Sequence, residues 1–377
     1  MKKKLLIVII PIVIALIAFV FVFVYRYYNK EDKTTTLTVT EKRWVQDNKD
    51  QTYDFEVVND YPIYGNNGEG VIFNFITDFE QNIGIEFNKI PYLKGSKPSS
   101  SGFKVKILNK DEKLTDKDLL LFNDNYIAVG KTYQRISHIK DMKNMTIGVF
   151  AEDSEDISYY LKSGTNLSYK SFETIEQLYS ALDSGNVNMI IVPNIMYLDY
   201  VIEKDKYIIN YFFTEINKQV VLTLSNDNDK LNDIVTKYYN KWKLTKFVEE
   251  YNAAYLDYYL EKNNLTAKQK ANLISKNYVY GYVENTPYEV KVHGKLAGIA
   301  GEDVNRLSRL GDINFKYKKY ATKKDLEKAI EKGEIDIYFD YYNYNDDGYL
   351  PTLSTFIEDY VVLGKQEDNH VVNSFEG

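Results

Sequence analysis

The 377-residue chain contains no cysteine. That excludes disulfides, thiol catalysis, zinc held by thiolates and lipid attachment through cysteine. Histidine is nearly as scarce. His138, His293 and His370 lie in unrelated segments, and each reads as a surface or core residue rather than a metal ligand or catalytic base. No basic face is visible. The formal net charge is −7, with lysines interspersed among aspartates and glutamates, so nucleic acid is not expected as a partner. The motifs that announce common enzymes are missing as well: there is no Gly-x-Ser-x-Gly, His-Glu-x-x-His, P-loop or Gly-x-Gly-x-x-Gly. Asp346-Asp347 and the Asp227/Asp229 pair sit in polar loops, where solvated turns explain them better than acid–base catalysis or metal binding. No enzyme activity, cofactor or metal is expected of this chain.

Tyrosine, by contrast, is abundant at 35 residues. Most should be amphipathic packing residues, and they also suit clefts that take sugars or peptides. The N-terminus carries the clearest signal. Lys2, Lys3 and Lys4 precede an uncharged apolar run of 20 residues, Leu5 to Val24, long enough to span a bilayer. It ends Phe-Val-Phe-Val-Tyr-Arg with no small-x-small cleavage site, which favours an uncleaved anchor. The leading lysines place the N-terminus in the cytoplasm and the bulk of the chain outside, in a single pass of the cell membrane. Residues 25–50 are polar and read as a stalk, with Tyr25, Tyr27 and Tyr28 at the membrane interface.

Further on, the chain repeats itself. TIEQLYSALDSGNVNMII, residues 174–191, returns as TKKDLEKAIEKGEIDIYF, residues 322–339. Each copy has a capping Thr, an apolar helical face, a Gly stop and a buried strand. In the first, Gln177 is placed to complete a capping box with Thr174. A helix feeding a buried strand is the building piece of an α/β sheet. A second likeness is coarser: residues 277–320 follow the same order as residues 52–93, namely strand, Pro-containing turn, helix, strand.

These segments resemble the type II periplasmic solute-binding proteins of family 3, the Venus-flytrap modules. ENTPYEVKVHGKLAGIAGEDVNRLSRLG, residues 284–311, is similar to the family's opening strand, Pro-aromatic turn, Gly-x-x-x-Gly step and Asp-led helix, with Asp303 at the acidic position. LYSALDSGNVNMII and LEKAIEKGEIDIYF resemble its helix-Gly-strand signature. ISHIKDMKNMTIGVF is similar to the entry into lobe two, and VVLTLSNDNDKLNDIVTKYYNKW to the return into lobe one. LTAKQKANLISKNYVYGYVENTPYEV resembles the joint between tandem modules of membrane sensors. The resemblance implies an α/β chain: a transmembrane helix, a two-lobed module over 51–263 (lobe one about 51–131 plus 222–263, lobe two about 132–221), a connecting helix over 264–277, and the first lobe of a second module over 278–377. VNSFEG resembles the start of a further lobe two. The second module is therefore expected to continue in a longer form, with an output domain such as a histidine kinase or diguanylate cyclase. Each lobe is expected to contain the helix–Gly–strand unit.

In amino-acid-binding members an Arg in lobe one holds the ligand carboxylate, a Gly-Thr turn in lobe two supports it, and an Asp takes the amine. Here AEDSED, residues 151–156, replaces that turn, Pro193-Asn194 stands where the acid would fall, and the Arg is missing. A free α-amino acid is therefore not the expected ligand. The residues placed to line a cleft are Asp60, Tyr61, Tyr64, Glu152, Asp153, Ser154 and Asn194 in module one, and Asn285, Tyr288, Asp340 and Tyr341 in module two. Turns and tyrosine packing explain any one of them, taken singly, better than a ligand does. Together they suit a small polar ligand such as a cation, peptide or sugar, or a partner binding protein; a homodimer is compatible with the same reading. The implied function is an extracytoplasmic ligand-sensing region of a membrane-anchored signalling protein, in which lobe closure signals across the membrane. The alternatives are a membrane-tethered substrate-binding component of an ABC transporter and a ligand-free scaffolding module of the same fold.

Overall fold

The computed structural model describes residues 37–98, 101–108, 112–134, 136, 138–162, 166–202, 206–311 and 313–340. The proposed anchor, residues 5–24, lies outside them, as does everything after Asp340. Among the described residues no helix is long and apolar enough to cross a membrane. The architecture is mixed α/β. It divides into two compact units, with breaks after Phe122, Lys218 and Ala254.

The first unit opens with helix α1 (Val39–Asn48). This corrects the reading of residues 25–50 as a plain stalk. Thr38 Oγ accepts from the Glu41 amide at 3.3 Å, and the Glu41 carboxylate accepts from the Thr38 amide at 2.7 Å. That reciprocal box starts the helix. Glu41 is 5% exposed and sits 2.5 Å from Lys237, so the segment docks on the folded body instead of running free.

Strand β1 (Thr52–Val58) is parallel to both β4 (Glu86–Tyr92) and β5 (Phe103–Ile107), and the end of the long strand β10 (Ile208–Thr223) runs antiparallel to β5. A small hairpin, β2 (Asp60–Tyr61) with β3 (Gly65–Asn66), leads into α2 (Val71–Ile83). Alternation along the strands and the 3.6-residue period of the helix put aromatic rings on one face. Phe55 lies 5.3 Å from Phe87 and 5.9 Å from Phe103, while Phe79 of α2 lies 5.3 Å from Phe87 and 5.2 Å from Tyr238 of α6 (Asp229–Thr245). Each such pair contributes about 0.5–1.5 kcal/mol beyond the area it buries.

In the second unit the strand order is β6-β9-β7-β8, from β6 (Asp118–Gly130, entering from the first unit), β7 (Thr146–Phe150), β8 (Ser168–Phe172) and β9 (Met189–Pro193). Strand β7 is parallel to β8 and β9, whereas β6 is antiparallel to β9. Helix α3 (Ser154–Tyr160) supplies Ile157 to a core with Ile147, Val149 and Ile191. Helix α4 (Ile175–Asp183) supplies Leu178 and Leu182 to a separate core with Ile190 and Val192. Since β7 and β9 alternate their side chains, these cores lie on opposite faces of the sheet. Helix α5 (Leu198–Ile202) follows β9.

Helix α7 (Phe247–Lys262) precedes α8 (Ala267–Ser275), which is boxed by Thr266 and Gln269. A three-stranded sheet follows, ordered β14-β11-β15, with β11 (Asn277–Val283) parallel to β14 (Asn314–Tyr320) and β15 (Ile337–Tyr338). The short hairpin of β12 (Val290–Val292) and β13 (Lys295–Ala297) leads into α9 (Ile299–Gly311). Tyr280, Tyr282, Leu296 and Val304 form one cluster; Leu326, Ala329 and Ile330 of α10 (Lys323–Glu331) join Ile335 in another.

The sequence repeat is a structural repeat. Thr174 Oγ accepts from the Gln177 amide at 3.3 Å, and Thr322 Oγ from the Asp325 amide at 3.2 Å. Gly185 and Gly333 follow the helices at φ 73° and 67°. Gln177 does not close the expected box: its Oε1 accepts from the Glu173 amide at 3.0 Å, one residue before the cap. The first unit holds the same helix–Gly–strand order in α2, Gly84 at φ 85° and β4, with Gly70 instead of a capping Thr before the helix. Alanine at Thr174 or Thr322 should each cost about 1 kcal/mol, the usual value of a lost N-cap. Urea unfolding midpoints measure this; a cost indistinguishable from zero at both sites would show that the hydroxyls do not cap.

Candidate functional site

In the second unit the chain passes from β7 through α3 to β8, then returns through α4 to β9 on the other side of β7. The connection direction therefore reverses between β7 and β9. In an open α/β sheet the crevice outside the carboxyl ends of strands at such a reversal is where ligands bind. Strand β7 ends at Phe150 and opens into the turn Ala151-Glu152-Asp153 before Ser154. Strand β9 ends at Pro193 and opens into Asn194 to Tyr197. Four of the sequence-derived candidates, Glu152, Asp153, Ser154 and Asn194, therefore stand at these two adjacent strand ends.

The structure adds residues that sequence reasoning missed. Lys218 of β10 reaches the turn, with Nζ 2.8 Å from Glu152 Oε1 and 3.1 Å from Asp153 Oδ1. The Lys218 side chain is 19% exposed and that of Asp153 13%, while Glu152 is 72% exposed. Burial works against the Lys218 charge, but Asp153 and Glu152 outweigh it and hold the ammonium above the ordinary lysine value. Burial also holds Asp153 above the usual carboxylate range, against the opposing pull of Lys218 and of Tyr126 beside it. Asp153 Oδ2 is buried without a hydrogen bond of good geometry. The Tyr126 hydroxyl is kept protonated by burial, reinforced by the Asp153 charge. Tyr197 stacks on Phe150 at 5.2 Å and is raised by burial and by the same two carboxylates.

Asp124 builds the other wall. It is fully buried, and its two carboxylate oxygens accept from the amides of Ile195 at 2.8 Å and Met196 at 2.9 Å. The neighbouring Asn125 donates through its side chain to the Phe213 carbonyl at 2.7 Å, and its own carbonyl accepts from the Asn194 amide at 2.9 Å. Ser154 Oγ lies 3.1 Å from Ser171 Oγ. The result is a carboxylate-rich, tyrosine-lined site with one ammonium inside it. It can pair with cations and hydroxyls, and it repels a carboxylate.

The other described candidates have surroundings of their own. Tyr61 and Tyr64 are 0% and 4% exposed and belong to the first unit's core, where Tyr64 stacks on Phe122 with centroids 3.4 Å apart. Tyr64 also borders an apolar cavity of about 10 Å³, with Phe55, Phe75, Leu121 and Trp242, room for about one water. Asp60 accepts from the Lys94 amide at 2.6 Å, a turn function. Asn285 and Tyr288 shape the turn before α9: the Asn285 amide donates to the Glu289 carbonyl at 2.8 Å, and the Tyr288 carbonyl accepts from Ala300 at 3.1 Å. Beneath them the buried Glu289 accepts from Tyr280 at 2.5 Å. Asp340 is exposed, and Tyr341 lies outside the described residues. Among the described residues no group of three or more His, Asp or Glu side chains could hold a metal ion.

No family model matches the sequence, and no curated protein matches it. In structure the chain is similar to the periplasmic domain of BvgS from B. pertussis, with a TM-score of 0.46 and 14% identity over 80% of this chain and 63% of that one. It thus spans about 63% of that domain's length. It is also similar to the amino acid ABC transporter substrate-binding protein AbpA from Streptococcus pneumoniae, bound to L-arginine (TM-score 0.40, 14% identity, 58% of this chain and 98% of that one). A third likeness is to the isolated BvgS periplasmic VFT2 domain of Bordetella pertussis (TM-score 0.41, 10% identity, 59% and 99%).

Proposed function

We propose that the chain is the extracytoplasmic ligand-sensing region of a membrane-anchored signalling protein. Residues 5–24 would hold it in the membrane, and a small polar ligand would bind at the carboxyl ends of β7 and β9. The supporting observation is the cluster of Asp153, Lys218, Tyr126 and Tyr197, half-closed from water at the point where the sheet reverses direction. Perturbed, partly buried titratable groups in such a place make it a candidate functional site. The ligand is not a free α-amino acid. Its carboxylate would meet Glu152 and Asp153, and no acid stands at Pro193-Asn194 to receive its amine.

A ligand that binds only the folded chain raises its melting temperature by mass action. The full chain, purified in detergent, should therefore be scanned against amino acids, short peptides, sugars and polyamines. At least one of the last three classes should raise Tm by roughly 3–5 °C at tenfold saturation, while free amino acids leave it unchanged. Silence across all four classes would sink the proposal and favour the scaffolding alternative.

A further inference from the structure

We propose that Lys218 is an internal ligand: its ammonium fills an amine subsite formed by Glu152 and Asp153, and the free molecule that this subsite takes when vacated is a primary alkylammonium. The proposal rests on the site assigned above and names the chemistry of one part of it. Lys218 comes from β10, whereas its acceptors both come from the turn after β7. It is thus a visitor to the strand-end site, not part of its scaffold. Its surroundings are those by which proteins hold a primary amine: two carboxylate oxygens, at 2.8 and 3.1 Å, in charge-assisted contact with the ammonium. In this protein the cation is tethered to the chain. A tether gives it an effective concentration of at least the millimolar order, so free amines in ordinary amounts cannot displace it. The site consequently presents only its outer groups, the exposed Glu152 carboxylate with Ser154 and Asn194, to a ligand from solution. That explains why an amino-acid amine has no place there although two acids are present.

The Lys218→Ala variant removes Cγ, Cδ, Cε and Nζ, and the missing fragment is propylammonium. It leaves Glu152 and Asp153 without their ammonium beside a hole of that shape. In thermal unfolding of the full chain, propylammonium should raise the Tm of K218A by roughly 3–5 °C at tenfold saturation and leave the wild type unmoved. Propanol and propionate, of the same length but neutral or negative, should do neither. A lysine that serves only as a structural ion pair would leave K218A destabilised and indifferent to the amine, and that result overturns the proposal. If K218A unfolds by itself, refolding it with propylammonium but not with propanol is the supporting result. If neither restores it, Lys218→Met, which keeps the stem and removes the charge, should gain Tm with ammonium or methylammonium ions, and no gain overturns the proposal. The outcome is independent of the ligand scan. Rescue of K218A without any ligand would uphold the amine subsite and remove the sensing role, whereas a ligand without rescue would do the reverse.

Discussion

Alanine at Gly70 should destabilise the first unit by about 3 kcal/mol or more, and alanine at Gly298 should do the same to the sheet of β11, β14 and β15. Each glycine precedes a helix whose first amides are satisfied by backbone carbonyls instead of a side-chain cap. Val71 and Ile72 donate to the carbonyls of Ile63 and Tyr64 at 3.0 and 2.9 Å; Ile299 and Ala300 donate to those of Pro287 and Tyr288 at 3.3 and 3.1 Å. The carbonyls reach so close only because no side chain stands in the way. A Cβ on Gly70 would lie 2.5 Å from the Ile63 oxygen, and one on Gly298 would lie 2.4 Å from the Tyr288 oxygen. Both glycines also sit at positive φ, 110° and 91°, a conformation that side chains resist. Gly68 and Gly294 provide the control, since both have positive φ and open space around the missing Cβ. Alanine there should cost about 1 kcal/mol, the conformational part alone. Urea unfolding followed by circular dichroism compares the four. Equal costs within each pair would show that the close carbonyl approach is unimportant.

Removing the Asp124 carboxylate should cost about 2–6 kcal/mol and disorder the wall of the site. Asp124→Ala strands the Ile195 and Met196 amides in a buried place, and each unsatisfied buried donor costs about 1–3 kcal/mol. Asp124→Asn keeps the volume and one acceptor but turns an NH₂ group toward the other donor, so it should lose at least half as much. Hydrogen exchange at Ile195 and Met196 reads the effect locally. Unchanged protection in D124A would show that other contacts hold the segment from Asn194 to Tyr197. Ligand affinity should fall in the same variants, because Asn194 and Tyr197 are carried by that segment.

The first half of each repeat was legible in the sequence because it is governed by local rules. Thr174, Gly185 and the apolar spacing between them specify a helix that starts and stops within its own residues. The segment at Thr38 carried the same kind of signal, Thr-x-x-Glu, but its polar surroundings disguised a helix that docks through Glu41 and Lys237. The site was legible only in part. Glu152, Asp153 and Asn194 follow buried strands, where turns naturally fall. Asp124 stands in Asn-Asp-Asn, residue types that favour turns and carry no sign of a site, yet β6 runs straight through because both flanks, Leu119 to Phe122 and Tyr126 to Val129, are strand-forming. Lys218 gave no signal. A lysine between Asn217 and Gln219 reads as a solvated strand residue, and only the fold brings it to carboxylates more than sixty positions earlier in the chain. Strand β10 begins ten residues before Lys218, at Ile208, along a stretch whose exposure does not alternate cleanly.

Hydrogen–deuterium exchange of the full chain, with and without the compound that raises its Tm, locates the ligand most directly. Protection should appear in residues 151–154 and 194–197, at the carboxyl ends of β7 and β9. Protection confined to other segments would place the ligand elsewhere and contradict the assignment of this site.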